Sequence, residues 1–501
     1  MSVKPSVRPN GPGLIATVVL GMALWAGSLT QAAHARDWED VLGTPFIDPL
    51  LTLPPVLDAP KRLAGDADSD SYPCDGNSYQ PEQALTLSAA MTIAVCNSPQ
   101  VDGAWASIRV QAAQVGEARA AYLPTIVAGL SQLRQTTQYP ESQLQQDSSE
   151  RKSDTRYATL TWRLLDFGGR GANRRSADAL LTAALSSHDA AMQKTMANVI
   201  GLYFEAQTAR ANREAKKQSE ALAKQTLETA QRRSARGAGS QSEFLQAKTS
   251  LAKVALEHAR AIGMHEKSLV ALVIAMGLSP QVVDAKNLRL AEDYHDKNIV
   301  LREDLAHWLR LAETEHPAIL AARSQLEAAR ERLAATRSEG LPSLDFTQSE
   351  YVNGRPNQGL SVVQTKESVI GFNLNIPLFD GFGRTYKVRG AEAQIQIKDA
   401  ELRETHNQVL GEVAKAHSDV LAALTNLESS RELLDAAEEA LKNVQRKYER
   451  GIADILEMLN VQSALADAEQ ERIRALAEWR SARLRLLANA GTIGIKDGRM
   501  H

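Results

Sequence analysis

The chain carries one pattern twice. A shift of 214 residues lays LLDFGGRG at 164–171 over LFDGFGRT at 378–385, so Asp166 falls on Asp380 and Arg170 on Arg384. The same register carries Arg236-Gly237 onto Arg450-Gly451, Glu243 onto Glu457, Leu245 onto Leu459 and Gly277 onto Gly491. Upstream the shift becomes 218, matching Ser98-Pro99 to His316-Pro317 and YLPTI at 122–126 to GLPSL at 340–344. The extra four residues lie between the matched segments, where a loop tolerates them. The period is too long for a solenoid, whose repeats run ~20–50 residues. The chain therefore reads as two tandem units, 85–277 and 303–491, joined by a linker at 278–302 and followed by a tail at 492–501.

Each unit is predicted as helix, strand, loop, strand, long helix, turn, long helix. The strands alternate: Ile370, Phe372, Leu374, Ile376 and Leu378 share one face, and Gly371, Asn373 and Asn375 the other. Leu160, Trp162 and Leu164 form the matching apolar face of the first unit, opposite Tyr157, Thr159, Thr161 and Arg163. Such strands suit a half-buried sheet in a water-soluble core, or a barrel with lipid outside and water inside. The stretches 134–156 and 353–367 are polar and read as solvated connections. Between 172 and 233, and between 391 and 450, there is no proline and one glycine each, Gly201 and Gly411. About 60 residues at 1.5 Å make rods of ~90 Å. In the second rod a 4,3 spacing selects Val409, Val413, Ala416, Val420, Ala423, Leu427, Ser430, Leu434, Ala437, Leu441, Val444 and Tyr448. A sustained seven-residue period means packing against partner helices in a left-handed supercoil.

The N-terminus reads as an export signal, 1–35. Lys4 and Arg8 precede an apolar run at 14–29, and AHA at 33–35 offers a small-x-small cleavage site. A Pro-rich leader, 36–84, follows. Export permits a disulfide between the only cysteines, Cys74 and Cys96, although spacing alone also allows two free thiols. A formal charge of −3 provides no basic field for nucleic acid. Neither the cysteines nor the histidines have metal-ligand spacing, and GGRG and GFGR lack a phosphate-cradling fingerprint. No nucleophile-base or paired-acid constellation has supporting spacing. The chain is not predicted to be an enzyme, and no cofactor is expected.

Four strands cannot close a membrane barrel, because bacterial barrels start at about eight. Open strand edges in lipid are too costly to persist. Three chains would pool twelve strands, with the helices projecting as a bundle. At this point the strand, the LFDGFGR-type elbow and the long helical hairpin, duplicated behind a signal peptide, resemble the TolC family of outer-membrane efflux and secretion ducts. The resemblance covers the chain after about residue 85. It implies an α+β membrane protein: a homotrimer with one twelve-stranded outer-membrane β-barrel, four strands per chain, continued by a periplasmic coiled-coil tunnel. It implies lipid contact, an inner-membrane transporter (ABC type favoured), a periplasmic adaptor and an exported substrate. The stretch ALTLSAAMTIAVCNSPQ at 84–100 resembles the start of members working in type I protein secretion, and no lipidated cysteine follows the signal. Protein secretion is thus favoured over drug efflux. A soluble periplasmic coiled-coil scaffold is the rival of another class, and it leaves the duplicated strands unexplained.

The resemblance also assigns roles. The elbows, with Asp166, Gly168 and Gly169 in one unit and Asp380, Gly381 and Gly383 in the other, turn strand into helix at the membrane boundary. Their glycines are expected to take dihedrals that a Cβ forbids. At the tunnel tip, YERGIADILEMLN at 448–460 matches the gating hairpin. Tyr448 matches a linking tyrosine and Glu457 a carboxylate that forms a ring in the trimer. Glu243 matches the acid that accepts the link, and Ser242 its hydroxyl neighbour. Asn460 stands where a second ring aspartate is usual, and Ala453 where a linking arginine is usual.

Overall fold

Proline punctuates each unit before its strands. Ser98 and His316 precede Pro99 and Pro317, and their extended ψ values, 120° and 122°, interrupt the helix. Two helices therefore stand where the sequence reading expects one: α1 (Leu87–Asn97) and α2 (Pro99–Ala120) in the first unit. Strands β1 (Thr125–Gln138) and β2 (Ser148–Leu165) follow, then helices α3 (Gly169–Ala235) and α4 (Gln241–Ala275). The second unit keeps the order: α5 (Leu305–Glu315), α6 (Pro317–Ser338), β3 (Ser343–Val352), β4 (Lys366–Asn375), α7 (Gly383–Glu449) and α8 (Ile455–Asn489). In this computed structural model the described residues are 84–138, 148–237, 239–279, 288–291, 303–355 and 365–494. The signal segment 1–35, the leader as far as 83 with Cys74, and the tail beyond 494 lie outside them.

Helices α3 and α7 each run 67 residues, ~100 Å at 1.5 Å per residue. Each returns through a 35-residue helix, α4 or α8. All twelve heptad positions of α7 are buried or half-buried. The polar exception, Ser430, donates to Leu427 O of its own helix at 3.0 Å, and Arg472 Nη1 of α8 donates to the same carbonyl (2.5 Å) and reaches Ser430 Oγ (3.3 Å). Polar pairs cross the seam between α3 and α4. Lys216 Nζ meets Glu257 Oε2 at 3.0 Å, and His258 Nδ1 meets Glu220 Oε2 at 2.6 Å.

Two apolar clusters lie midway along the hairpins. One joins α1, α3 and α4 to Leu288 and Leu290, and the other joins α5 to α7 and α8. Leu85 pairs with Leu290 in a parallel bridge, and the Tyr203 hydroxyl donates to Leu85 O at 3.0 Å. No described helix is long and apolar enough to cross a membrane.

The four strands form one antiparallel sheet, ordered β1-β2-β3-β4. Its burial is inverted relative to a water-soluble sheet. On the apolar face Leu130, Ile370, Phe372 and Leu374 are 83%, 64%, 70% and 59% exposed. On the polar face Thr155 and Ser349 are buried, Thr159 Oγ1 and Ser349 Oγ lie 3.0 Å apart, and Arg163 Nε meets Asp345 Oδ1 at 2.9 Å. Strand pairing also reaches into the stretch expected to be a solvated connection, with Arg134 opposite Lys152. Ladder hydrogen bonds do not depend on side-chain polarity, so the strands outlast the alternation that reveals them.

Candidate functional site

The tips of the two hairpins meet. Ala230 of α3 and Ala247 of α4 pack in one cluster with Val444, Tyr448, Ala453, Ile455 and Met458 of the second hairpin. Both tips turn through a glycine with a left-handed backbone, Gly237 and Gly451, at φ +72°. Each return helix then starts with a side-chain cap. Ser240 Oγ accepts from Glu243 N at 3.1 Å, and Asp454 Oδ1 from Glu457 N at 2.7 Å. Glu243 and Glu457 thus occupy the third residue of their helices, where a carboxylate also suits the positive end of the helix dipole. This capping role is legible as S-x-x-E and D-x-x-E, and the sequence reading passed over it.

The structure brings Tyr448 and Glu243 together and adds a residue that the sequence reading missed. Tyr448 is 2% exposed. The Arg233 guanidinium lies 4.8 Å from its ring centroid, and Arg233 Nη1 donates to Tyr448 O at 2.7 Å. Burial pushes the Tyr448 phenol above its ordinary value; the Arg233 cation pulls it down and the Glu243 carboxylate pushes it up. Tyr448 Oη, Glu243 Oε2 and Arg233 Nε are buried without a hydrogen-bond partner among the described residues. The one signal for Arg233 was a basic residue in the last turn of a helix, shared with its neighbour Arg232.

Glu457 and Asn460 are exposed on α8, and Ser242 is exposed on α4. Ser242 and Asn460 line a groove of about 780 Å³ between the hairpins, together with Lys216, Glu257 and Glu469. Burial, followed by the nearby Glu438, raises the Glu469 carboxyl, and Lys216 opposes them.

The elbows lie at the other end of α3 and α7. Asp166 Oδ2 accepts from Arg170 N at 2.7 Å and meets Arg170 Nε at 3.2 Å, while Arg170 Nη1 reaches back to Arg163 O at 2.7 Å. In the second unit Asp380 Oδ2 accepts from Arg384 N at 2.8 Å, and Arg384 Nη2 reaches Pro377 O at 3.3 Å. The left-handed residues are Phe167 and Gly168 in one elbow, Gly381 and Phe382 in the other. Gly169 and Gly383 do not take positive φ, which corrects the expectation for those two. At Gly169 an added Cβ would meet Ser338 Oγ, so that hydroxyl would have to turn away; at Gly383 the nearest atom would be 3.7 Å away. At the remaining predicted pair, Cys96 is disulfide-bonded and Cys74 lies outside the described residues.

The family model described as outer membrane efflux protein matches residues 91–278 and 308–492. The chain is 32% identical to Protein CyaE of Bordetella pertussis over 480 residues, 95% of each chain. It is 22% identical to the proteases secretion protein PrtF of Dickeya chrysanthemi over 430 residues, 83% of this chain and 90% of that one. Among solved structures, the outer-membrane channel OprN superposes with a TM-score of 0.71 at 17% identity, covering 88% of this chain and all of that one. With two hairpins of matching length, the inverted sheet and a family match over most of its length, the chain belongs to the outer membrane efflux protein family, that of the TolC-type ducts.

Proposed function

We propose that three copies of this chain form the exit duct of a tripartite export system, taking a polypeptide from an inner-membrane transporter of ABC type and a periplasmic adaptor to the exterior. The inverted sheet carries this reading. Its apolar face is exposed, Thr155 and Ser349 on its polar face are buried, and among the described residues β1 and β4 each have one neighbouring strand. Exposed apolar area of this kind calls for lipid, and open edges in lipid call for other strands. Three sheets would close a twelve-stranded barrel with the polar face towards water, and the hairpins would continue it as a tunnel. The two units, 85–277 and 303–491, are read as a tandem duplication on their matching element order and lengths. PrtF, named for protease secretion and similar over 83% of this chain, favours protein cargo.

Native mass measurement on protein extracted by detergent from outer membranes should give three chains. A stable monomer in that membrane rejects the barrel. Drug efflux is the second reading, favoured by the family's own description. Deleting the chain should trap a protein cargo in the cell and leave resistance to dyes unchanged; the reverse result assigns it to efflux. We also propose that Cys96 pairs with Cys74, tying the leader to α1. Thiol titration of denatured, unreduced protein should find no free thiol, and two would reject the pair.

A further inference from the structure

Tyr448 has a buried ring and a hydroxyl without a hydrogen-bond partner among the described residues, and that combination limits how the hairpins can be tied within one chain. We infer that Arg233 of the first hairpin, and not the Tyr448 hydroxyl, fastens the second hairpin within each protomer, taking the cationic place that Ala453 leaves empty. The inference rests on reading the tips as the gate.

Three observations support it. First, the hydroxyl makes no hydrogen bond among the described residues, whereas the Tyr448 carbonyl and ring face are both engaged by Arg233. Second, the carbonyl is a natural cation site. Tyr448 lies in the last turn of α7, which ends at Glu449; its carbonyl accepts from Gly451 N at 3.0 Å and offers its second lone pair to Arg233, at the negative end of the helix dipole. Arg233 therefore meets the ring quadrupole and the helix end with one planar group, a pairing suited to guanidinium rather than ammonium. Third, the surroundings leave room for this arrangement. A Cβ on Gly239 would come 3.1 Å from Glu243 Oε2 and 3.2 Å from Arg233 Cβ, and one on Gly451 would lie 3.9 Å from Arg233 Nη2. Ala453 is buried in the same cluster, so its small side chain lets the cation arrive from the other hairpin.

The test is single-channel conductance of the full-length protein in planar bilayers, with assembly checked by native mass. Arg233→Ala should raise the resting conductance about tenfold, the scale expected when one desolvated cation–π and charge-assisted contact is lost from a two-state element. Arg233→Lys should fall between that variant and the parent. Tyr448→Phe keeps the ring and the carbonyl and should conduct like the parent. A parent-like Arg233→Ala overturns the inference, as does a Tyr448→Phe channel that opens. If Arg233→Ala fails to assemble, Arg233→Lys and Tyr448→Phe decide by the same criteria. A Glu457→Gln control separates the two levels. If it alters ion selectivity while the Arg233 variants stay parent-like, only the Arg233 assignment falls. If all of them stay parent-like, the gate reading falls as well.

Discussion

At the elbows one residue in each left-handed pair is phenylalanine. Phe167 and Phe382 hold φ at +52° and +67°, each beside a left-handed glycine in the opposite order, Phe-Gly in one unit and Gly-Phe in the other. Asp166 and Asp380 make this tolerable, since each carboxylate accepts the N–H of the arginine four residues on and pins the turn. The glycines were visible in the sequence. The swap was not, because φ follows from the whole turn and not from residue type. At the tips, Glu457 is exposed while Glu243 has a buried, unpartnered oxygen, although the repeat register makes them equivalent. On the trimeric reading, three Glu457 carboxylates ring one axis, and a ring of like charge in a pore concentrates cations. Glu457→Gln should lower cation selectivity in planar bilayers at low salt without disturbing assembly, and Asn460→Asp should increase it. Unchanged selectivity in Glu457→Gln would remove the residue from the pore.

The helical elements were the most legible part of the chain. Length without proline, heptad spacing and repeat register located both hairpins, and every predicted seam position of α7 is at least half-buried. The break before each second helix was missed, although Pro99 and Pro317 signal it. That break predicts a pH effect. His316 caps α6 by accepting from Ala318 N at Nδ1, 3.2 Å away, which only an unprotonated nitrogen can do. Burial holds its imidazole below the ordinary value of 6.5, with Glu412 opposing. The unfolded chain then binds the proton more readily. The cap's contribution is complete above 6.5 and is lost as pH falls from there toward the folded value. Thermal melts should therefore show the parent losing stability through that window, by about 1 kcal/mol, the usual scale of a cap. His316→Asn, which caps without titrating, should lose less. Equal losses would exclude His316 as the cause.

At the scale of the whole molecule, the inverted sheet separates a membrane wall from a soluble core. Alternation in the sequence admitted both. The sheet's burial, Phe372 being exposed and Ser349 sheltered, favours the wall. A charge should therefore be costly on one face and tolerated on the other. Phe372→Arg should cost about 2–4 kcal/mol, the scale for arginine facing lipid at mid-membrane. Thr347→Arg, on the polar face opposite Gly371 in β4, should assemble normally and shift ion selectivity toward anions. Yields of outer-membrane trimer compare the two. Equal yields would mean that the apolar face does not meet lipid.

The amino-acid sequence by itself pointed to two units of matching pattern, to their strands and long hairpins in order, and to the apolar seam of α7, though not to the break before each second helix. These are periodic properties, carried by residue spacing along one dimension. The tertiary structure decided what depends on two distant segments meeting. Arg233 and Tyr448 are 215 residues apart and touch because two hairpins pack tip to tip. Arg472 reaches Leu427 O and Ser430 Oγ from the next helix. Gly169 lies against Ser338, whose hydroxyl would have to turn away from an added Cβ. None of these pairings has a spacing to read, since the hydrogen bonds and contacts that select them exist only once the helices lie side by side.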